Sequence, residues 1–297
     1  MKIKPRSWGT WTAARPVELS HLPSGFCITP VIYSNRANHP SAIPAGDLLR
    51  FGRRTLNDGV ICFDTTHEDT QLKWQYTQPD PSTLDIHWHC CSHGEWGLRY
   101  WINLCFSAPT GVGFEFDRVQ ARLRSNNPSG LSLSAQAEKP PLMVSFHQDL
   151  GALLDEYSEK GYFYLGSRGT SGDFAVLRFN LEEAPALTCR IKLQPSDAAN
   201  TATDTLPRAR KHSPPTDNAT ISNSHIEQVD ESAQGALDAI HDVVAWNHVF
   251  DPINDREYTV LTRFWNQQKF GGFGIWMNDV MYHALLWSQF DCQKARS

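Results

Sequence analysis

The sequence predicts an antiparallel β-sandwich followed by a separate helical unit, and three observations carry that prediction. From Gly46 to about Leu193, short apolar runs rich in β-branched and aromatic residues alternate with Gly, Pro, Asp and Ser. From Leu193 to Ser224 large apolar residues nearly vanish. Beyond that stretch the apolar period lengthens from two residues to three or four, which is helical. The boundaries that follow are 1–193 for the sandwich, 194–224 for a disordered linker or insertion, and 225–297 for the helical unit.

The strand-like runs are LLRFG, GVICFDTT, LKWQYT, LDIHWHCC, LRYWINLCFS, GVGFEFDRVQARL, PPLMVSFHQ, GDFAVLRFNL and LTCRIKL. Each is short and bounded by turn residues, as strands of a sandwich are. One helix interrupts them: DLGALLDEYSEKG sets Leu150, Leu153, Leu154 and Tyr157 along one face, with Gly161 placed to end it. Its expected position is the sandwich edge. The segment 194–224 is built from Pro, Ser, Thr, Asp and Asn and lacks the apolar surface that would offset its ordering entropy. The basic patch Arg208, Arg210, Lys211 and His212 inside it reads as a solvated charge run. After it, Ile226, Val229, Ala233, Leu237, Ile240 and Val244 recur at helical spacing. The stretch FDPINDRE reads as a loop, TVLTRFWN leads to the turn Gly271-Gly272-Phe273-Gly274, and a second helix starts near Asn278. Two helices separated by a long loop are what one hairpin of an α/α barrel supplies.

Composition narrows the partners. Charged residues are 20% and the net charge is -5, with Lys and Arg scattered rather than striped, so no nucleic acid is expected as a partner. Ten Trp and fifteen Phe supply more aromatic surface than solubility requires, which suits sugar binding and core packing alike. No run reaches the roughly 18 apolar residues of a membrane-spanning helix, and MKIKPRSWGTWTAARP lacks the apolar core of a secretory signal. The expected location is therefore cytoplasmic, away from membranes, with the seven cysteines as reduced core thiols.

Three segments hold residue types that carry chemistry. In LDIHWHCCSHGE, His87, His89, Cys91 and His93 alternate with Ile86, Trp88 and Cys90. Successive residues on one strand face stand about 6.6 Å apart, so four of them span about 20 Å, too far for one ion with bonds of about 2 Å. The expectation is an amphipathic strand and no metal. Cys90 and Cys91, between two histidines, are a second candidate as nucleophiles, but no element beside them is suited to hold an oxyanion.

The third segment is the C-terminal stretch from Trp246 to Trp287. A sugar site needs flat aromatic faces, amide and guanidinium donors, and a carboxylic acid able to protonate the leaving oxygen. Trp246, Trp265 and Trp276 are the candidate platforms, Asn247, Arg263 and Asn266 the candidate polar fixers, and Asp279 the candidate acid after a Gly-rich turn. Core packing is the plain alternative for each Trp, and a helix cap the plain alternative for Asp279, with Asn278 equally suited to that cap.

The runs AWNHVFDP (Ala245–Pro252), TRFWN (Thr262–Asn266) and GGFGIWMNDVMYHALL (Gly271–Leu286) resemble the start of the catalytic domain of glycoside hydrolase family 63, the family of processing α-glucosidases. The family pattern sets Trp directly before Asp; here Met277 and Asn278 separate Trp276 from Asp279. The resemblance implies an N-terminal β-sandwich beside an (α/α)6 barrel, no cofactor, a carbohydrate substrate, inverting hydrolysis of α-linked glucosides, and Asp279 as general acid. It also implies a water-activating carboxylate far downstream. A full barrel needs on the order of 300 residues of helix pairs and loops. The expectation is thus a glycosidase fragment with an incomplete barrel and little activity, self-associating through exposed barrel helices. The alternative is a non-catalytic carbohydrate-binding protein.

Overall fold

A computed structural model of the chain describes residues 8–12, 15–34, 41–44, 49–55, 59–67, 69–93, 100–127, 130–160, 170–195, 231–251, 254, 256–260 and 277–296. Among them lie two large antiparallel sheets packed face to face. The first runs, edge to edge, through Trp8–Gly9, Leu19–His21, Cys27–Ser34, Tyr100–Ser107, Phe174–Asn180 and Met143–His147, with Ser41–Pro44 also paired to Cys27–Ser34. The second runs through Ser171–Gly172, Gly113–Asp117, Arg122–Asn126, Leu131–Ala137, Ala186–Pro195, Thr83–Ser92, Thr70–Asp80, Ile61–His67 and Leu49–Arg54. The fold is β-rich and sandwich-like, as the strand runs predict.

The two sheets differ in what covers them, and their sequences show it. Facing side chains such as Ile28, Leu104, Phe106 and Leu177 from the first sheet, and Phe63, Trp74, Trp88 and Ile191 from the second, form one buried cluster. The second sheet keeps its other face the more accessible, so Ile61–His67 and Thr70–Asp80 alternate buried positions with partly buried or exposed ones. The first sheet is buried on both faces: Val31, Tyr33, Cys105 and Val176 point away from the main core into a second cluster with Leu153 and Tyr157 of helix α1, Leu150–Lys160. That is why CITPVIYS and FAVLRFN are almost continuously buried. Asp149 starts α1 by accepting the Ala152 N–H at 2.8 Å, and Leu150, Leu153, Leu154 and Tyr157 form its inward face as predicted. Large core aromatics keep their polar atoms satisfied: the Trp74 indole donates to Thr65 Oγ1 at 3.0 Å, the Trp88 indole to the Ala184 carbonyl at 3.0 Å, and the Tyr76 hydroxyl to the Val17 carbonyl at 3.2 Å.

One reading changes, and two strands were not singled out. GVGFEFDRVQARL is two strands rather than one, because Asp117 Oδ1 accepts the N–H groups of Val119 and Gln120 at 2.9 and 3.0 Å and closes a turn between them. Cys27–Ser34 is a central strand despite Pro30, which falls where the pairing on one edge passes from Leu19–Ser20 to Ala42–Pro44, so neither ladder needs its N–H. Leu131–Ala137 escapes the apolar pattern because its LSLSAQA run is thin in bulky β-formers. Gln194 and Pro195 of the linker expected over 194–224 close the strand Ala186–Pro195, and residues 196–230, which hold the rest of that linker and the expected helix start at Ile226, lie outside the described residues. Among the described residues no helix is long and apolar enough to cross a membrane.

Candidate functional site

Helix α2, Glu231–Trp246, is fastened at its C-terminal end to Leu49–Arg54, the edge strand of the second sheet. The Trp246 indole N–H donates to the Gly52 carbonyl at 2.7 Å, and its ring packs on Phe51 with centroids 4.7 Å apart. The backbone N–H of Arg54 donates to Asp242 Oδ1 at 3.0 Å, and its Nη1 reaches the Trp246 carbonyl at 3.4 Å while the guanidinium lies 5.3 Å from the Trp246 ring centre. Arg54 is only 1% exposed, so this cation is desolvated and sits where the helix dipole presents its negative end. A side chain at Gly52 would put its Cβ 2.7 Å from the Cys62 carbonyl oxygen, so only glycine lets the strand bend there beneath the indole.

Residues after α2 turn back as a short hairpin, not the loop that FDPINDRE suggests: His248–Asp251 pairs with Arg256–Thr259. Asn247 makes the corner, its backbone N–H and side-chain amide both donating to the Val243 carbonyl at 3.3 and 3.0 Å, while its own carbonyl accepts the Val260 N–H at 2.9 Å. His248 is buried; its Nε2 stands 2.8 Å from Glu257 Oε2, and since a carboxylate only accepts, Nε2 carries the proton.

Helix α3, Met277–Ser288, attaches to this hairpin chiefly through Thr259. The Trp287 indole donates to Thr259 Oγ1 at 2.8 Å, and the same hydroxyl lies 3.3 Å from His248 Nδ1. Trp287 is buried against the rings of His241 and His248. Asp279 stands in the first turn of α3, where the helix dipole favours a negative charge, and is half-buried. His283, one turn on, feels three effects: burial pushes its pKa down, while the Thr259 carbonyl and the Asp279 carboxylate pull it up, and burial prevails.

The opposite face of α3 is bare. Met277, Met281, Tyr282 and Leu285 are 77%, 61%, 67% and 64% exposed, and Met281, Ala284 and Leu285 border a groove of about 510 Å³ against the terminal turn at Lys294–Arg296. A contiguous apolar stripe of this kind marks a surface made to be covered.

No protein-family model and no curated protein matches the chain. Among solved structures it is similar to a bacterial glucoamylase complexed with acarbose, at 8% identity and TM-score 0.50, over 66% of this chain and 33% of that one. The fold resembles that of part of the glucoamylase. A family 92 inverting mannosidase from Bacteroides thetaiotaomicron is similar at 11% identity and TM-score 0.36, over 58% of this chain and 22% of that one. The chain thus spans about a third of the length of the glucoamylase.

Of the residues the sequence singles out, Asp279, Trp246 and Asn247 are described; Arg263, Trp265, Asn266 and Trp276 lie outside the described residues. Trp246 is 3% exposed and belongs to the sandwich core cluster, so it ties α2 to the sheet rather than presenting a free ring face. Asn247 is engaged with backbone at the α2 corner. The residues that position α3, namely Thr259, His248, Glu257 and Trp287, were not singled out. The alternation on either side of the turn in HVFDPINDREYT is the signal that could have found the hairpin. On the strand Thr83–Ser92, Trp88 and Ile86 are buried and His89 and Cys91 exposed; Cys91 Sγ lies 3.6 Å from His89 Nδ1, and His87 is bonded to Thr188 Oγ1 at 3.1 Å. Among the described residues no group of three or more His, Cys, Asp or Glu is placed to hold a metal ion.

Proposed function

We propose that this chain carries the sandwich and the first helices of an inverting α-glucoside hydrolase of the family 63 type, with Asp279 as the proton donor. The observation that supports it most is the pairing of a first-turn carboxylate on α3 with an apolar face on the same helix that stands ready for further helices. The glycoside-hydrolase-like fold agrees with that reading. In it Trp265 and Trp276 are the sugar platforms, Arg263 and Asn266 the donors to hydroxyls, and Asn247 the backbone bracket at the end of α2. Trp246 is the joint that fixes the helical part to the sandwich.

Inversion requires a second carboxylate about 6.5–9.5 Å from the acid, with room for water between them. We assign no residue of this chain to that base. An acid without its base forfeits about 10²- to 10⁴-fold in rate. The isolated 297-residue chain is therefore expected to show no hydrolysis of p-nitrophenyl α-glucoside or α-linked disaccharides above the buffer rate. Turnover that disappears in Asp279→Asn would contradict the separation of acid and base while keeping the donor assignment. The bare face of α3 also favours a second reading, in which the chain binds α-glucosides without cleaving them.

A further inference from the structure

Trp8 Nε1 and Gln78 Nε2 are buried N–H donors that meet no acceptor among the described residues. Trp8 is 4% exposed and Gln78 9%, so bulk solvent does not serve these donors either. Both side chains line the same cavity, which has about 40 Å³ open to the centres of water-sized groups. It lies where the edge strand Trp8–Gly9 of the first sheet meets Leu49–Arg54 and Thr70–Asp80 of the second. A buried donor without an acceptor has given up its hydration for nothing, so two of them around one cavity point to an occupant that accepts.

The rest of the lining suits an acceptor with negative charge. Arg54 is fully buried and also lines the cavity; its guanidinium has donors and no acceptor, and its charge acts through space whatever else its N–H groups bond. Thr55 Oγ1 accepts the Val60 N–H at 3.3 Å, which leaves the hydroxyl hydrogen to donate. Among the described lining residues none is acidic. Asp242, whose Oδ1 accepts the Arg54 backbone N–H, belongs to α2 and is partly exposed, so solvent screens its opposing charge. Size narrows the ligand further. One water needs at least about 10–15 Å³ on this measure, so the cavity takes about three heavy atoms. A carboxylate matches that size with two oxygens for two donors, and hydrogen bonds to it gain strength from its charge.

We propose that this cavity binds a small carboxylate, of formate to acetate size, with its oxygens on Trp8 Nε1 and Gln78 Nε2 and its charge toward Arg54. The site lies under the joint between the sandwich and the helical part. Arg54 also holds the Trp246 carbonyl at the end of α2, and Trp11, another wall of the cavity, meets the rings of His248 and Phe250 edge-on with centroids 6.2 and 6.4 Å away. Occupancy braces both parts at once. This site is independent of the role given to Asp279.

Proton–nitrogen correlation NMR of the full chain, with sodium formate as the probe, tests this. The Trp8 indole resonance is assigned by its absence in Trp8→Phe, and ionic strength is held with morpholinoethanesulfonate, which is too large for the cavity. A ligand of three heavy atoms binds no tighter than about millimolar, so formate is titrated through the tens of millimolar. The expected result is a saturable downfield shift of the Trp8 indole proton, while the Trp74 and Trp88 indoles, bonded to Thr65 and Ala184, stay in place. Gln78→Leu removes one donor and is expected to weaken formate binding by about tenfold or more. Gln78→Glu sets a like charge in the site and is expected to abolish binding. A Trp8 resonance that formate leaves unmoved overturns the proposal, as do a common drift of all three indoles and undiminished binding in Gln78→Leu. Chloride that binds as tightly as formate overturns the carboxylate assignment, because a single atom would then suffice for both donors.

Discussion

Alanine in place of Trp246 is expected to lower the unfolding free energy by about 3–5 kcal/mol, the usual cost of removing a fully packed tryptophan. The ring is 3% exposed within the main core cluster, against Phe51 and beneath Arg54, and its indole N–H is bonded to the Gly52 carbonyl. Truncation opens a cavity where α2 meets the sheet and leaves that carbonyl without its partner. Trp246→Phe keeps most of the apolar contact but not the hydrogen bond, so its cost should fall to about 1–3 kcal/mol. Urea denaturation of the three proteins checks both values. A sugar platform behaves in the opposite way: its loss weakens sugar binding and spares stability. A Trp246→Ala protein as stable as the parent would return this tryptophan to the platform role its sequence context suggests.

Arg54→Ala should also destabilise, by about 1–3 kcal/mol, because the hydrogen bond to the Trp246 carbonyl and the packing over the indole are lost. The guanidinium caps the negative end of α2 through the Trp246 carbonyl and covers the indole face. The backbone N–H that binds Asp242 survives the substitution, so the loss belongs to the guanidinium. Arg54→Lys separates charge from shape: an ammonium keeps the charge but neither the planar contact nor the fork of donors, and it should recover less than half of the loss. Full recovery by lysine would show that charge alone fastens the helix. Since Arg54 and Trp246 touch, their double mutant should cost less than the sum of the single ones.

What the sequence made legible follows from which forces are local. Strands of the second sheet alternate because one face is wet, so Ile61–His67 and Thr70–Asp80 declare themselves. Helix α1 shows its inward stripe for the same reason. Cys27–Ser34 does not, since burial on both faces erases alternation and Pro30 reads as a stop until its place in the pairing is known. The Gly-rich turn placed a helix start near Asn278 with Asp279 in its first turn, where α3 carries it. The role of Trp246 was not legible, because its partners Gly52 and Arg54 are nearly two hundred positions away in sequence.

The assignment of Asp279 as the proton donor of an α-glucoside site is tested most directly by carboxyl ¹³C NMR of the chain, with maltose as the titrant. A donor poised over the glycosidic oxygen has to sense the sugar, and the half-buried first turn of α3 leaves the carboxylate open to it. The expected result is a saturable shift of the Asp279 carboxyl carbon, assigned by its absence in Asp279→Asn. Maltose that leaves this carbon unmoved at millimolar concentration contradicts the assignment.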